Sequence, residues 1–279
     1  MLKRAPVLAL AGGLLICTAS AAAGSKEFRY TVGPGCSVSV VNLSGPVVVQ
    51  AVPGSTVVIT ATTESNQVEI HDTHQGNRIE LRTHLLQRGG SARVDYEVQV
   101  PPDGVVTIRS GDGPLRASEL EGDLSVQGES AQVELRDLWN AHVHVHTVDG
   151  PITLQNLRNS HVDVTTVAGR VALTEVSGPK VAVNTSSGLI QYSGDFGGNG
   201  DYAFMTHSGN IEVGLPAGAS VDIMARSVNG KVQNEFPLEA KPNTAFAPVE
   251  GHSFAGRANS GGSSVRLSSF SGTITVKKQ

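Results

Sequence analysis

The run Ala141-His142-Val143-His144-Val145-His146, taken with His161-Val162-Asp163 nineteen residues further on, holds the side chains best suited to chemistry. In an extended chain successive side chains alternate between faces, so Val143, Val145 and Val162 turn inward while the histidines and Asp163 share an outer face. If consecutive turns of the chain stack, the nineteen-residue step sets His161 over His142 and Asp163 over His144. Neighbours on one face of a strand are ~6.6 Å apart and adjacent strands ~4.8 Å apart, within reach of a shared ion. The expectation is a surface Zn or Cu site made by His142, His144, His161 and Asp163. Against it stands a solvated polar ladder, because a flat exposed face lacks the outer hydrogen bonds that orient metal ligands. Even without metal, protonated histidines stacked this closely repel one another, so mild acid should loosen the face.

Other reactive types are scattered. His71 and His74 lie beside Asp72 in what reads as a solvated turn, and His207 precedes Gly209. Asp112 and Asp149 adjoin Gly113 and Gly150, where carboxylates commonly bond turn backbone. Hydrolysis or elimination on a polysaccharide needs paired carboxylates, or a metal with a base, converging in a cleft. Asp163 is the one acid placed in a cluster; its companions are histidines, with Lys180 one turn beyond His161. No G-x-S-x-G, H-E-x-x-H or P-loop pattern occurs. No catalytic residue is assigned, and the chain is expected not to be an enzyme.

What positions these residues is a repeat. The pattern apolar-x-apolar-x4-Gly-x-apolar-x-apolar fits Val143, Val145, Gly150, Ile152 and Leu154, then recurs around Gly169, Gly188, Gly209 and Gly272. Earlier copies surround Gly45 and Gly113, and one copy, Leu124 to Leu135, puts Ala131 at the glycine position. Gly230 marks an irregular copy, with Gly272 forty-two residues beyond it, so a degenerate turn is expected near Gly251, where Ser253 and Ala255 replace aliphatics. Leu120, Leu138, Leu157 and Val176 recur in a second register of 18 to 19 residues. Each copy reads as two short strands meeting at a corner, where glycine supplies positive φ or close backbone approach. A unit of about 20 residues cannot bury its apolar face alone, whereas stacked units bury a continuous one. The expected fold is an all-β parallel β-helix, or solenoid, with about 19–21 residues per rung, right-handed by the general rule for parallel crossovers. A β-sandwich with an accidental repeat is the weaker alternative, since it requires no strict spacing. Residues 24–104 are less regular. Strands are read at Val57–Ala61, Val68–Ile70, Ile79–Leu81 and Val94–Val100, as an antiparallel layer or as capping rungs before the solenoid of residues 105–279.

Residues 1–23 read as a secretory signal: Lys3 and Arg4, an apolar stretch from Ala5 to Ile16, then Ala19-Ser20-Ala21-Ala22-Ala23. The apolar core is shorter than the ~20 residues that span a bilayer, and Ile16 before Cys17 argues against lipidation. Cleavage leaves Cys36 as the one cysteine and lowers the net charge from -4 to -6. An exported chain without a disulfide must be held by its core. The acidic balance and the lack of a basic run exclude an electrostatic footprint for nucleic acid.

The opening Phe28-Arg29-Tyr30-Thr31-Val32-Gly33-Pro34-Gly35, the segment Val94-Asp95-Tyr96-Glu97-Val98-Gln99-Val100-Pro101, and corners such as Ser186-Ser187-Gly188-Leu189-Ile190 and Phe270-Ser271-Gly272-Thr273-Ile274 carry a resemblance. With them the mature chain resembles a bacterial family of exported β-repeat proteins catalogued as "putative adhesin" domains of unknown function. The resemblance implies an envelope or surface role, periplasmic or secreted, and brings no catalytic residues. The expected function is therefore an adhesin-like binding or scaffold protein whose polar strand faces, rich in Ser, Thr, Asn and Gln, hold an envelope polysaccharide or a surface protein. A polysaccharide-processing β-helix enzyme and a purely structural envelope component are the alternatives.

Overall fold

The computed structural model describes residues 24–279 apart from residues 88, 91 and 241–247. The secretory-signal expectation falls on residues 1–23 and lies outside the described residues. Within them every regular element is a β-strand.

The chain opens with β1 (Gly24–Thr31), then lays down a first rung of two strands, β2 (Ser37–Asn42) and β3 (Val47–Ala51). Next come β4 (Thr56–Thr63), β5 (Val68–Gln75), β6 (Arg78–Leu85) and β7 (Val94–Val100). Two rungs are single long strands, β8 (Val105–Ser118) and β9 (Leu124–Trp139). The following rungs are pairs: β10 (His142–Asp149) with β11 (Ile152–Arg158), β12 (His161–Thr166) with β13 (Val171–Val176), and β14 (Lys180–Thr185) with β15 (Ile190–Ser193). Then follow β16 (Asp201–Thr206) with β17 (Ile211–Leu215), and β18 (Val221–Ser227) with β19 (Val232–Asn234). After β20 (Glu239–Ala240) and β21 (Ser253–Ala258) the chain ends in β22 (Ser263–Ser269) and β23 (Ile274–Lys278).

The first strand of each rung stacks in one parallel column and the second in another. His142 pairs with His161, His161 with Lys180 and Lys180 with Asp201, which are steps of 19, 19 and 21 residues. In the other column Leu138 pairs with Leu157 and Leu157 with Val176, so the second sequence register is a buried row of its own. The inward positions of both columns form one continuous apolar core, including Val143, Val162, Val181, Tyr202 and Val265. Here lies the solenoid predicted by the spacing.

The amino-terminal strands join both ways that the sequence allowed. β6 and β7 continue the columns in parallel onto β2 and β3, while β5 pairs antiparallel with β6, and β4 antiparallel with both β7 and β1. β2 and β3 also pair with β8, so the columns run without interruption across residue 104. His71, Asp72 and His74 lie in β5 rather than in a turn, because β5 forms a hairpin with β6 that extends to Gln75.

The order of the last rungs departs from the sequence. β22 and β23 lie between β16–β17 and β18–β19: Phe204 pairs with Leu267, and Leu267 with Ala225. The interval from Gly230 to Gly272 is therefore not two periods with a degenerate rung at Gly251. Residues 253–258 instead form β21, which runs antiparallel along the outer edge of β18. Translation by one rung cannot be told from insertion between rungs by spacing alone, since both preserve the period.

The corners stack in the same inverted order. At Gly150, φ is 113°, a region that side chains rarely adopt. At Gly272 the backbone is ordinary, but a Cβ would overlap the carbonyl oxygen of Gly209 on the rung below. Three residues before most corners stands a buried hydroxyl that caps the bend. Thr206 Oγ1 accepts from the Gly209 amide at 2.9 Å and Ser269 Oγ from the Gly272 amide at 2.8 Å. In the exceptional rung the sizes are exchanged: Gly128 stands at the hydroxyl position, and a Cβ there would lie 2.6 Å from the Ala131 methyl.

Candidate functional site

Alternation in β10 and β12 does what the residue pattern requires. Val143, Val145, Val162 and Val164 are buried, and His142, His144, His146, His161 and Asp163 face out. The register pairs His142 with His161, His144 with Asp163 and His146 with Thr165. Sequence spacing thus places the backbone of the cluster correctly.

The side chains do not close on one point. The His142 and His161 rings lie 5.7 Å apart edge to face, and His144 and His161 6.4 Å apart. His142 turns toward the preceding rung, with Nδ1 3.3 Å from Asp123 Oδ1 and thus directed away from Asp163. Among the described residues no group of three or more His, Cys, Asp or Glu is arranged to hold a metal ion. What the face presents is a charge ladder running Asp123, His142, His161, Lys180, Asp201, closed by Arg266 at 2.8 Å from Asp201.

His161 is half-buried in this ladder. Burial, then the neighbouring Lys180, His142 and His144, push its pKa below 6.5, while Asp163 pulls weakly the other way. A histidine held neutral by the fold takes up its proton more readily when unfolded. Its contribution to stability is complete above the unfolded pKa and is lost as pH falls through the lowered folded value. The urea midpoint should therefore drop between about pH 7.5 and about pH 5, and by less in His161→Asn; equal drops in both proteins would remove His161 from the account.

Several carboxylates elsewhere on the faces are tied up. Glu134 accepts from Arg116 at 3.0 Å and also from Arg136, which hold its carboxyl below the usual range. Asp222 receives both Arg257 nitrogens, at 2.7 and 3.1 Å. Asp112 and Asp149 bond corner amides: Asp112 accepts from Gly45 at 3.3 Å, and Asp149 from Gly150 at 2.7 Å.

Two features escaped sequence reasoning. Residues two before the corners form an exposed ridge with Leu43, Val148, Val167, Val228 and Phe270, where His207 stacks on Phe270 at 4.8 Å. The signal was available as an apolar residue at fixed distance from five of the corner glycines, but these positions lie outside the strand alternation. The second is a row of positive-φ residues, Asp137, Asn156 and Glu175, with Asn156 Nδ2 donating to Asp137 Oδ1. Asn and Asp take left-handed backbone more readily than other side chains, but nothing in residue type marks Glu175 as left-handed.

The family model described as Toastrack DUF4097 matches residues 40–277. No curated protein matches the chain. Among solved structures, a "putative cell adhesion protein" from Clostridium sporogenes is 14% identical, with 92% of this chain and 100% of that chain covered at a TM-score of 0.29. A "putative adhesin" from Bacteroides fragilis is 8% identical, covering 92% and 97% at a TM-score of 0.41. Another "putative adhesin", from Parabacteroides merdae, is 9% identical, covering 90% and 95% at a TM-score of 0.34.

Proposed function

The chain belongs to the Toastrack DUF4097 family, and from that premise we propose that it is a non-enzymatic, exported, adhesin-like protein that binds an envelope polymer along its strand faces. The observation that carries this reading is the register of the outer faces. Polar side chains repeat at the rung spacing and are hydrogen-bonded along the stack. On the second column Gln191 Nε2 donates to Glu212 at 3.0 Å, and Lys277 lies 3.6 Å from the same carboxylate. An ordered face of this kind offers many weak contacts at a pitch of ~4.8 Å, and repetition converts weak contacts into avidity. Among the described residues no helix is long and apolar enough to cross a membrane.

The test is co-sedimentation of the purified protein with peptidoglycan sacculi and with surface polysaccharide, with and without a chelator. Saturable binding to either material is expected. Absence of binding to both overturns the proposal. Binding that disappears with chelator would assign a Zn or Cu ion to His142, His144, His161 and Asp163 after all.

A further inference from the structure

Beside the corner of the early rungs the first column carries a groove of about 580 Å³. Its rims are Leu43 and Val148, 41% and 49% exposed, and its polar lining includes Arg109, Gln127, Glu129 and His146. The groove exists because the apolar ridge is interrupted. Gly111 occupies the ridge position between Leu43 and Glu129. It cannot gain a side chain cheaply, since a Cβ there would lie 2.6 Å from the Leu43 carbonyl oxygen.

The polar lining is in register. Arg109 pairs with Gln127 and Gln127 with His146, so donors of three types stand in line over roughly 9.6 Å, two steps of ~4.8 Å. A second, smaller depression of about 220 Å³ continues from Gln127 and His146 over His144, Asp163 and Thr165. Among the described residues neither Arg109 nor Glu129 is in an ion pair, although they line the same groove.

We propose that this groove is a binding site for an uncharged, linear polysaccharide, an inference that rests on the polymer-binding function above and names the class of polymer. Charge decides against the alternatives. A polyanion drawn to Arg109 would meet Glu129 and a chain of net charge -4, and a polycation drawn to Glu129 would meet Arg109. Sugar hydroxyls both donate and accept, so neighbouring hydroxyls satisfy the guanidinium fork and the carboxylate together. Leu43 and Val148 offer apolar surface to the C–H faces of the rings, as mixed sites for small ligands do. The length of the lining selects a chain over a monosaccharide.

The experiment is retention of the full mature protein on immobilised neutral polysaccharides (a glucan, a mannan, a galactan and chitin), with polygalacturonate and poly-glutamate as charged arms. Retention by at least one neutral polymer is expected, weakened about tenfold or more in Arg109→Met and in Glu129→Ala. Arg29→Met, which alters a cation bonded to Glu27 on β1, outside both columns, should leave it unchanged. Urea midpoints equal to the parent's confirm that the variants are folded. No retention on any neutral polymer, preference for either polyanion, or full retention by Arg109→Met overturns the assignment. If the protein still sediments with envelope material but ignores every neutral polymer, the groove assignment alone falls; if it does neither, both fall.

Discussion

Gly272→Ala should lower the stability of the protein by about 3 kcal/mol or more, read as a fall in the urea midpoint at unchanged slope. The reason is local. A methyl at position 272 would overlap the Gly209 carbonyl oxygen, with Ser269 Oγ 2.9 Å away on its other side. Neither neighbour can yield independently. The Gly209 carbonyl belongs to a corner whose own amide is held by Thr206, and Ser269 caps the Gly272 amide. Relief therefore requires the two rungs to separate, which loosens the ladders between β16 and β22 and between β17 and β23. Overpacking in a compliant core commonly costs about 1–3 kcal/mol, and this site is stiffer. Gly218→Ala is the control, because a Cβ there has nothing within 4 Å; its effect should stay within about 0.5 kcal/mol. Equal midpoints for the two variants would show that the corners tolerate a methyl and that the glycine column has another cause.

The contrast with Ala131 shows why a glycine pattern is informative without being absolute. That rung is a single strand, β9, and its room for a methyl comes from Gly128. The repeat was legible because it recurs in both residue type and spacing. Strand alternation and burial followed from it, as the buried valines of β10, β12 and β14 show. The capping hydroxyls were visible in principle as Ser or Thr three residues before glycine, but they fall among the four positions that the repeat pattern leaves unspecified. For the candidate site, spacing predicted which histidines share a face and which residues pair, because these are backbone properties. Whether rings converge depends on rotamers and on neighbours such as Asp123, which a strand pattern does not encode. The groove at Arg109 was illegible for a related reason: it opens where the ridge lacks a side chain, at Gly111, and a missing side chain becomes a cavity only once its neighbours are known.

Ending the chain after Gly262 should have an effect out of proportion to the residues removed. In a solenoid stacked strictly in sequence order, loss of the last rung exposes one interface and leaves the remainder intact. Here the last rung is internal. β22 pairs with β16 on one side and with β18 on the other, and β23 with β17 and β19. Val265, Leu267, Ile274 and Val276 are all buried, and at about 1.5–3 kcal/mol for each such side chain the lost burial is roughly 6–12 kcal/mol. That gross loss is comparable to the whole stability of an ordinary domain, about 5–15 kcal/mol. It also removes the only named strands that join β18 to the rest of the stack, since β21 pairs with β18 and β20 alone among the described residues. Amide exchange in residues 221–234 and 253–258 of the truncated protein should accordingly rise to within about tenfold of the unfolded chain, while β8 to β13 retain their protection. A synthetic peptide of residues 263–279 should restore protection if added during refolding, because its two neighbours present complementary edges. Undiminished protection of β18 after truncation would mean that β18 docks directly on β16, and that the inserted position of the last rung is not what holds this end together.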